Sequence, residues 1–359
     1  MTRPSRVVID KAALKHNFQR IQESAPKSKI MAILKADAYG HGLIRIAKTL
    51  SDADAFGVAC LEEAEQLRSA SILTPIVLLE GPHKAADLSH IVKLNLDIVI
   101  HNEFQLNILE HAEINEPLQV WVKIDTGMHR LGFPVDKINS VLQRLANCSN
   151  AKPAPKLMTH LATANEHNNS LTQQQLKIFN QICGGLELEK TIANSAAVIN
   201  YPEAHVDWIR PGLMLYGVSP MFDSHADAHG LMPVMTLESE LISIQHLQKG
   251  EPVGYGATWS CPVDMPVGVV AAGYGDGFPR HARSGTPVLV NDVRCSLIGR
   301  ASMDMLTIDL RNQPQAKIGD RVVLWGESLP VEEIARHADT IPYELLCGVH
   351  KRLEFIERG

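Results

Sequence analysis

Eight short apolar runs, separated by longer stretches of mixed polarity, constrain what this chain can fold into. They read "IMAILK", "AFGVAC", "PIVLLE", "LDIVIH", "VWVKID", "KLMTHL", "KTIANS" and "HVDWIR", all in the first two-thirds of the sequence. Each has the length and apolar continuity of a buried strand. Between them lie segments such as "HGLIRIAKTL", "LEEAEQLRSA", "EFQLNILEHA", "VDKINSVLQRLA" and "LTQQQLKIFNQI", whose apolar residues recur every three to four positions, as on one face of a helix. Strands that alternate with helices run parallel, and eight such units predict a closed (β/α)8 TIM-type barrel over residues 1–232.

After Pro233 the texture changes to alternating apolar and polar residues, as in "TLESELISIQHL", "TPVLVNDVRCSLIG" and "DRVVLWG". This pattern predicts a mostly antiparallel C-terminal β domain over 233–359, with Asn291-Asp292 as a turn between two strands. Only "VEEIARHA" and "YELLCGV" look helical there, and "MFDSHADAHGLMP" reads as a linker or a functional loop. The whole is an α/β chain.

Composition narrows the partners. Against 34 Lys and Arg stand 40 Asp and Glu, a net charge of −6 without long runs of one sign, which argues against nucleic acid or an anionic membrane surface. The opening "MTRPSRVVIDKAALKHN" has no apolar core of a secretion signal, and no stretch has the length to span a bilayer. A cytoplasmic protein acting on a small molecule is expected. The six cysteines are scattered without C-x-x-C spacing and read as reduced, and the sixteen histidines show no metal-binding spacing, so no metal is expected.

In a barrel of this kind, reactive groups gather where strands end and βα loops converge. Lys35 follows the first run, Lys123, Asp125 and Arg130 the fifth, His160 the sixth, Ser195 the seventh, and Arg210-Pro211-Gly212 the eighth. A strand-end lysine often does no more than reach past the core to water. Crowded by cations and partly desolvated, however, it would lose its proton more readily and attack a carbonyl as a free amine. Ser195 and Gly212 fall after strands seven and eight, where barrels commonly bind phosphate. Pyridoxal phosphate carries both a carbonyl and a phosphate, so one cofactor accounts for both features.

The motifs "AILKADAYGHG", "KIDTGMHRLGF", "MTHLATA", "ANSAA", "WIRPGLMLYG", "AAGYGDGFPRH" and "GRASMDM" resemble, in order, the signatures of the bacterial alanine racemase family of fold type III. The resemblance runs from about Val7 to Leu346. It implies a pyridoxal phosphate enzyme with a barrel, a β domain and a head-to-tail homodimer with shared active sites, interconverting L- and D-alanine for peptidoglycan or for catabolism. Lys35 matches the lysine that carries the cofactor and serves as one acid/base group. Tyr39, Ser195, Gly212 and Leu213 match phosphate ligands, Arg210 the arginine at the pyridine nitrogen, and His160 a residue against the ring. Arg130 matches the arginine near the substrate carboxylate, and Lys123 a lysine that is often carbamylated to position it. From the partner, Tyr274 matches the opposite base, Met303 a backbone donor to the substrate carboxylate, and Asp304 its neighbour.

Racemisation removes a proton from one face of Cα and returns one to the other, which suits two groups on opposite faces. Taken singly, Tyr39 and Tyr274 would read as packed aromatics, although the Gly-rich run around Tyr274 favours an exposed turn. Asp37 stands where the family often has asparagine, Ser302 where some members have cysteine, and the tail "HKRLEFIERG" keeps only Arg352 of the usual ending. A broader-specificity racemase and a barrel-type amino-acid decarboxylase remain as alternatives.

Overall fold

The computed structural model describes residues 3–221 and 224–359. Met1, Thr2, Phe222 and Asp223 lie outside the described residues, the last two within the stretch read as a linker or loop. The strand β1 (Arg6–Asp10) comes first, followed by a helix, Lys11–Ser24, that Asp10 caps by accepting from the Ala13 N–H. All eight apolar runs then form strands: β2 (Lys29–Ile33), β3 (Ala55–Val58), β4 (Ile76–Leu78), β5 (Leu96–Ile100), β6 (Val120–Lys123), β7 (Lys156–Met158), β8 (Lys190–Asn194) and β9 (Trp208–Arg210). They pair in parallel and in sequence order, and β9 pairs with β2 to close the barrel.

The two ends of this barrel differ in chemistry. At the N-terminal ends of the strands, the Trp121 and Trp208 rings meet edge to face, and Lys156 Nζ lies 4.7 Å from each ring centroid. Glu189 accepts from Lys29, Lys156 and the Trp208 indole. Burial alone would raise its carboxyl, yet these donors hold it at about 2. This end is a closed, paired plug, which leaves the opposite mouth for chemistry.

The second unit begins with β10 (Met235–Leu247) and continues through β11 (Pro252–Val253), β12 (Trp259–Ser260), β13 (Met265–Val270), β14 (Pro287–Val290), β15 (Val293–Leu297), β16 (Leu306–Asp309), β17 (Arg321–Trp325) and β18 (Glu354–Arg358). Bulges at Leu237/Glu238 and Leu241/Ser243 bend β10 so that it pairs with β17 along one half and β13 along the other, folding the sheet back on itself. Asn291 and Asp292, at φ 47° and 64°, make the expected tight hairpin between β14 and β15. The two expected helices are Val331–His337 and Pro342–Cys347.

One expectation needs correction. The division at 232/233 assigns the N-terminus to the barrel, but β1 pairs antiparallel with β10 and parallel with β18 inside the second sheet. The alternating burial of Val7 and Ile9 fits a strand with one face on a core, which a barrel strand buried on both faces does not show. Among the described residues, no helix is long and apolar enough to cross a membrane.

A turn at Leu213–Tyr216 follows β9 and ends in Gly217 at φ +71°. A side chain there would collide with the Met232 carbonyl. Gly217→Ala should therefore cost roughly 2–4 kcal/mol and lower the thermal midpoint by several degrees, measurable by calorimetry. An unchanged midpoint would mean that this chain crossing relaxes freely.

Candidate active site

At the C-terminal mouth, the strand ends enclose a cavity of about 570 Å³. Lys35, Tyr39, Lys123, Arg130 and His160 line it, together with Ser195, Arg210, Gly212 and Leu213. Barrel closure therefore brings together nine expected residues that are spread over almost 180 positions of sequence.

Lys35 follows β2 after Leu34 and opens a turn in which Ala36, Asp37, Ala38 and Tyr39 all have φ between 53° and 56°. Left-handed backbone costs about 1–2 kcal/mol per non-glycine residue, so a run of this kind persists only where its surroundings hold it. Glu63 accepts from the Ala36 N–H and Asp37 from the Leu43 N–H. Gly40 continues the turn at φ 76°, where a side chain would strike the Leu346 carbonyl. The result aims Lys35 and Tyr39 into one cavity.

Lys35 is pushed below the ordinary lysine range, chiefly by burial and then by Arg130. Lys123, at the end of β6, falls to about 8 through burial and the charges of Arg210, Arg130 and Lys35. Arg210 is buried and donates to Thr191 Oγ1 at 2.6 Å, the Thr159 carbonyl at 2.6 Å, the Ile192 carbonyl at 3.2 Å and His160 Nδ1 at 3.3 Å. All four partners are neutral. Burial lowers the guanidinium to about 9, so it stays cationic at neutral pH. Burial, with Arg210 next, also keeps His160 neutral. Because Nδ1 accepts from Arg210, the ring proton sits on Nε2.

Ser195 Oγ accepts from the Gly212 N–H at 2.9 Å and from the Met214 N–H at 3.3 Å. A Cβ on Gly212 would lie 2.6 Å from Tyr39 Oη, so the approach of this turn to Tyr39 requires glycine. Tyr39 is buried and stacks on Tyr216 at 4.9 Å, and burial raises its phenol well above the ordinary range.

Tyr274, Met303 and Asp304 do not join this cavity within one chain. They sit on a separate stapled edge. Tyr274 N–H donates to the Ser302 carbonyl and Gly275 N–H to that of Met303, while buried Asp276 accepts from both Arg3 and Arg352. Asp304 pairs with the same two arginines.

Sequence reasoning missed several residues. Glu80, Asn194, Ile341, Tyr343 and Cys347 also line the cavity. Tyr343 lies on the helix Pro342–Cys347, read only as helical, and its ring meets Tyr39 at 5.7 Å. Tyr255, between β11 and β12, is 68 % exposed against 39 % for Tyr274. Gly254 and Gly256 flank it at φ 73° and 75°.

The alanine racemase N-terminal domain model matches residues 9–220, and the C-terminal domain model matches 234–357. The chain belongs to the alanine racemase family. A relative from Nitrosococcus oceani named alanine racemase is 55 % identical over 346 residues, covering 96 % of this chain and 97 % of that one. One from Escherichia coli O6:H1, named alanine racemase, biosynthetic, is 50 % identical over 348 residues and covers 97 % of each chain. The crystal structure of biosynthetic alanine racemase from Pseudomonas aeruginosa superposes with a TM-score of 0.97 at 43 % identity, covering 100 % of both chains. A family of racemases fits a mouth lined by a depressed lysine and a neutral histidine.

Between pH 8 and the ordinary lysine range, the unfolded chain keeps a proton on Lys123 that the folded chain has shed. Stability should rise as pH climbs through that window. Urea unfolding of the ligand-free protein should show the rise, and Lys123→Met should flatten it. An equal slope in the variant would assign it to other groups.

Proposed function

We infer that this chain is an alanine racemase, an isomerase interconverting L- and D-alanine with pyridoxal phosphate, and that a second copy completes its site. The observation that carries the reading is a strand-end lysine of lowered pKa in a cavity where three further cations face Glu80, the one lining carboxylate among the described residues. Such a site calls for an anionic ligand and a reaction that a free amine can assist.

When bound, pyridoxal phosphate supplies an aldehyde for an amine and a conjugated ring that withdraws electrons from the substrate Cα. The residues present fit that group. Tyr39, Ser195 and the Gly212–Leu213 backbone would hold the phosphate, and Arg210, with only neutral partners, would face the ring nitrogen. A guanidinium donates without giving up its proton, so it tempers the electron withdrawal and limits side reactions.

Arg130, with the backbone amide of the partner's Met303, would bind the substrate carboxylate. Lys35, lowered by burial and then by Arg130, takes or returns the Cα proton on one face. The other face needs a second base. Tyr39 and Tyr343, the tyrosines of this cavity, are both raised by burial, Tyr343 to about 12, and are poorly suited to the task. A tyrosine from the partner, entering beside the Nε2–H of neutral His160 and the cations, would be favoured as phenolate. The resemblance named Tyr274. Greater exposure and a position on the short β11–β12 ribbon support Tyr255 as the deeper-reaching group, with Tyr274, Met303 and Asp304 forming the rim beside it.

Lys123, near 8, keeps a neutral fraction able to add carbon dioxide. The amine gains a carboxylate and releases a proton, replacing a cation by an anion that can orient Arg130. Carbon-13 bicarbonate should give a carbamate resonance that Lys123→Ala removes; a bare amine at saturating bicarbonate would end this part of the reading.

In deuterated water the protein should form D-alanine from L-alanine with deuterium entering at Cα. Tyr255→Phe should reduce racemisation by at least about a thousandfold while Lys35-dependent Cα exchange from one enantiomer survives. Tyr274→Phe should cost much less. Mixing Lys35→Ala with Tyr255→Phe subunits should restore activity. No recovery despite subunit exchange would overturn the shared site, and carbon dioxide release without racemisation would favour a decarboxylase.

A further inference from the structure

His41 is fully buried, lies outside the cavity lining, and has been given no task so far. Its Nδ1 is 2.9 Å from the Tyr39 carbonyl and 3.1 Å from the Ala38 carbonyl, both in the left-handed turn. Two acceptors facing one ring nitrogen require that nitrogen to carry the proton. Nε2 is buried without a hydrogen-bond partner among the described residues, so the ring is a neutral, single-ended donor. Its face stacks on Tyr216 at 4.5 Å. The Tyr216 hydroxyl in turn donates to the Ile33 carbonyl at the end of β2, and its ring stacks on Tyr39.

The imidazole thus ties together the end of the lysine-bearing strand, the turn beyond it and the Tyr39 ring. We propose that His41 is a positioning residue, a neutral clamp that holds the left-handed turn so that Lys35 and Tyr39 face the same cavity. The claim rests on the proposed cofactor site only for its consequence; the clamp itself is a property of the ligand-free chain. Its mechanism is specific. Without the ring donor, the Tyr39 carbonyl loses its hydrogen bond, and a run of positive-φ residues loses part of what offsets its cost.

Two isosteres separate donation from bulk. In His41→Asn the amide nitrogen sits where Nδ1 does, whereas in His41→Gln it sits near Nε2, away from the two carbonyls. Hydrogen exchange on the ligand-free full chain reads the Ala38, Gly40 and Gly42 amides, which close the turn onto Leu34, Ala36 and Asp37. His41→Gln and His41→Ala should speed exchange of these amides about tenfold or more, with His41→Asn within about threefold of the parent protein. Pyridoxal phosphate affinity, followed by its absorbance, should weaken about tenfold in the first two variants and recover in the third. The pH dependence of turnover should not move in His41→Asn, because the ring does not titrate in the working range.

Unchanged exchange in His41→Gln, or an Asn variant no better than Gln, would overturn the clamp. If His41→Ala does not fold, the Asn and Gln pair decides alone. Altered exchange with no pyridoxal phosphate binding in any variant, the parent included, would instead overturn the cofactor reading and leave the clamp standing.

Discussion

The site depends on keeping four cationic side chains around one cavity with very little negative charge to offset them. Lys35, Lys123, Arg130 and Arg210 repel one another, and burial adds to the cost for Lys35, Lys123 and Arg210. The opposite end of the barrel is the reverse case, where Glu189 is satisfied by Lys29, Lys156 and Trp208. Burial, reinforced by this positive charge, lowers the lysines and keeps His160 neutral. The same field that opposes folding favours an anionic ligand over a cationic one and a neutral amine over an ammonium.

Much of this was legible before the fold was known. Continuous apolar runs bounded by turn residues mark buried parallel strands, and once eight are counted, the ends of those strands nominate Lys35, Lys123, His160, Ser195 and Arg210. The left-handed turn was not legible. "KADAY" contains no glycine, and its alanines favour a right-handed helix, so only contacts from Glu63, His41 and Tyr216 reveal the conformation that prevails. Nor could β1 be placed, because its partners lie more than 220 residues away.

The two glycine-flanked tyrosines show a different limit. Tyr255, which was not singled out, and Tyr274 each stand between two glycines, and nothing in composition or spacing ranks them. Exposure and anchoring do. Arg3 and Arg352 tether the turn of Tyr274 through Asp276, whereas the loop of Tyr255 hangs on a ribbon with two paired positions.

The first strand of the chain also sets the order in which the molecule can form. Barrel strands pair with their immediate successors, so that unit can assemble as the chain grows, through contacts between neighbouring segments. Strand β1 must wait for Met235–Leu247 on one edge and for Glu354–Arg358, more than 340 positions later, on the other. Until then an apolar strand with both edges unpaired stays open to wrong partners. The finished sheet is a late closure between segments far apart in sequence, and a nascent chain that stalls before it would be the species most exposed to aggregation and proteolysis.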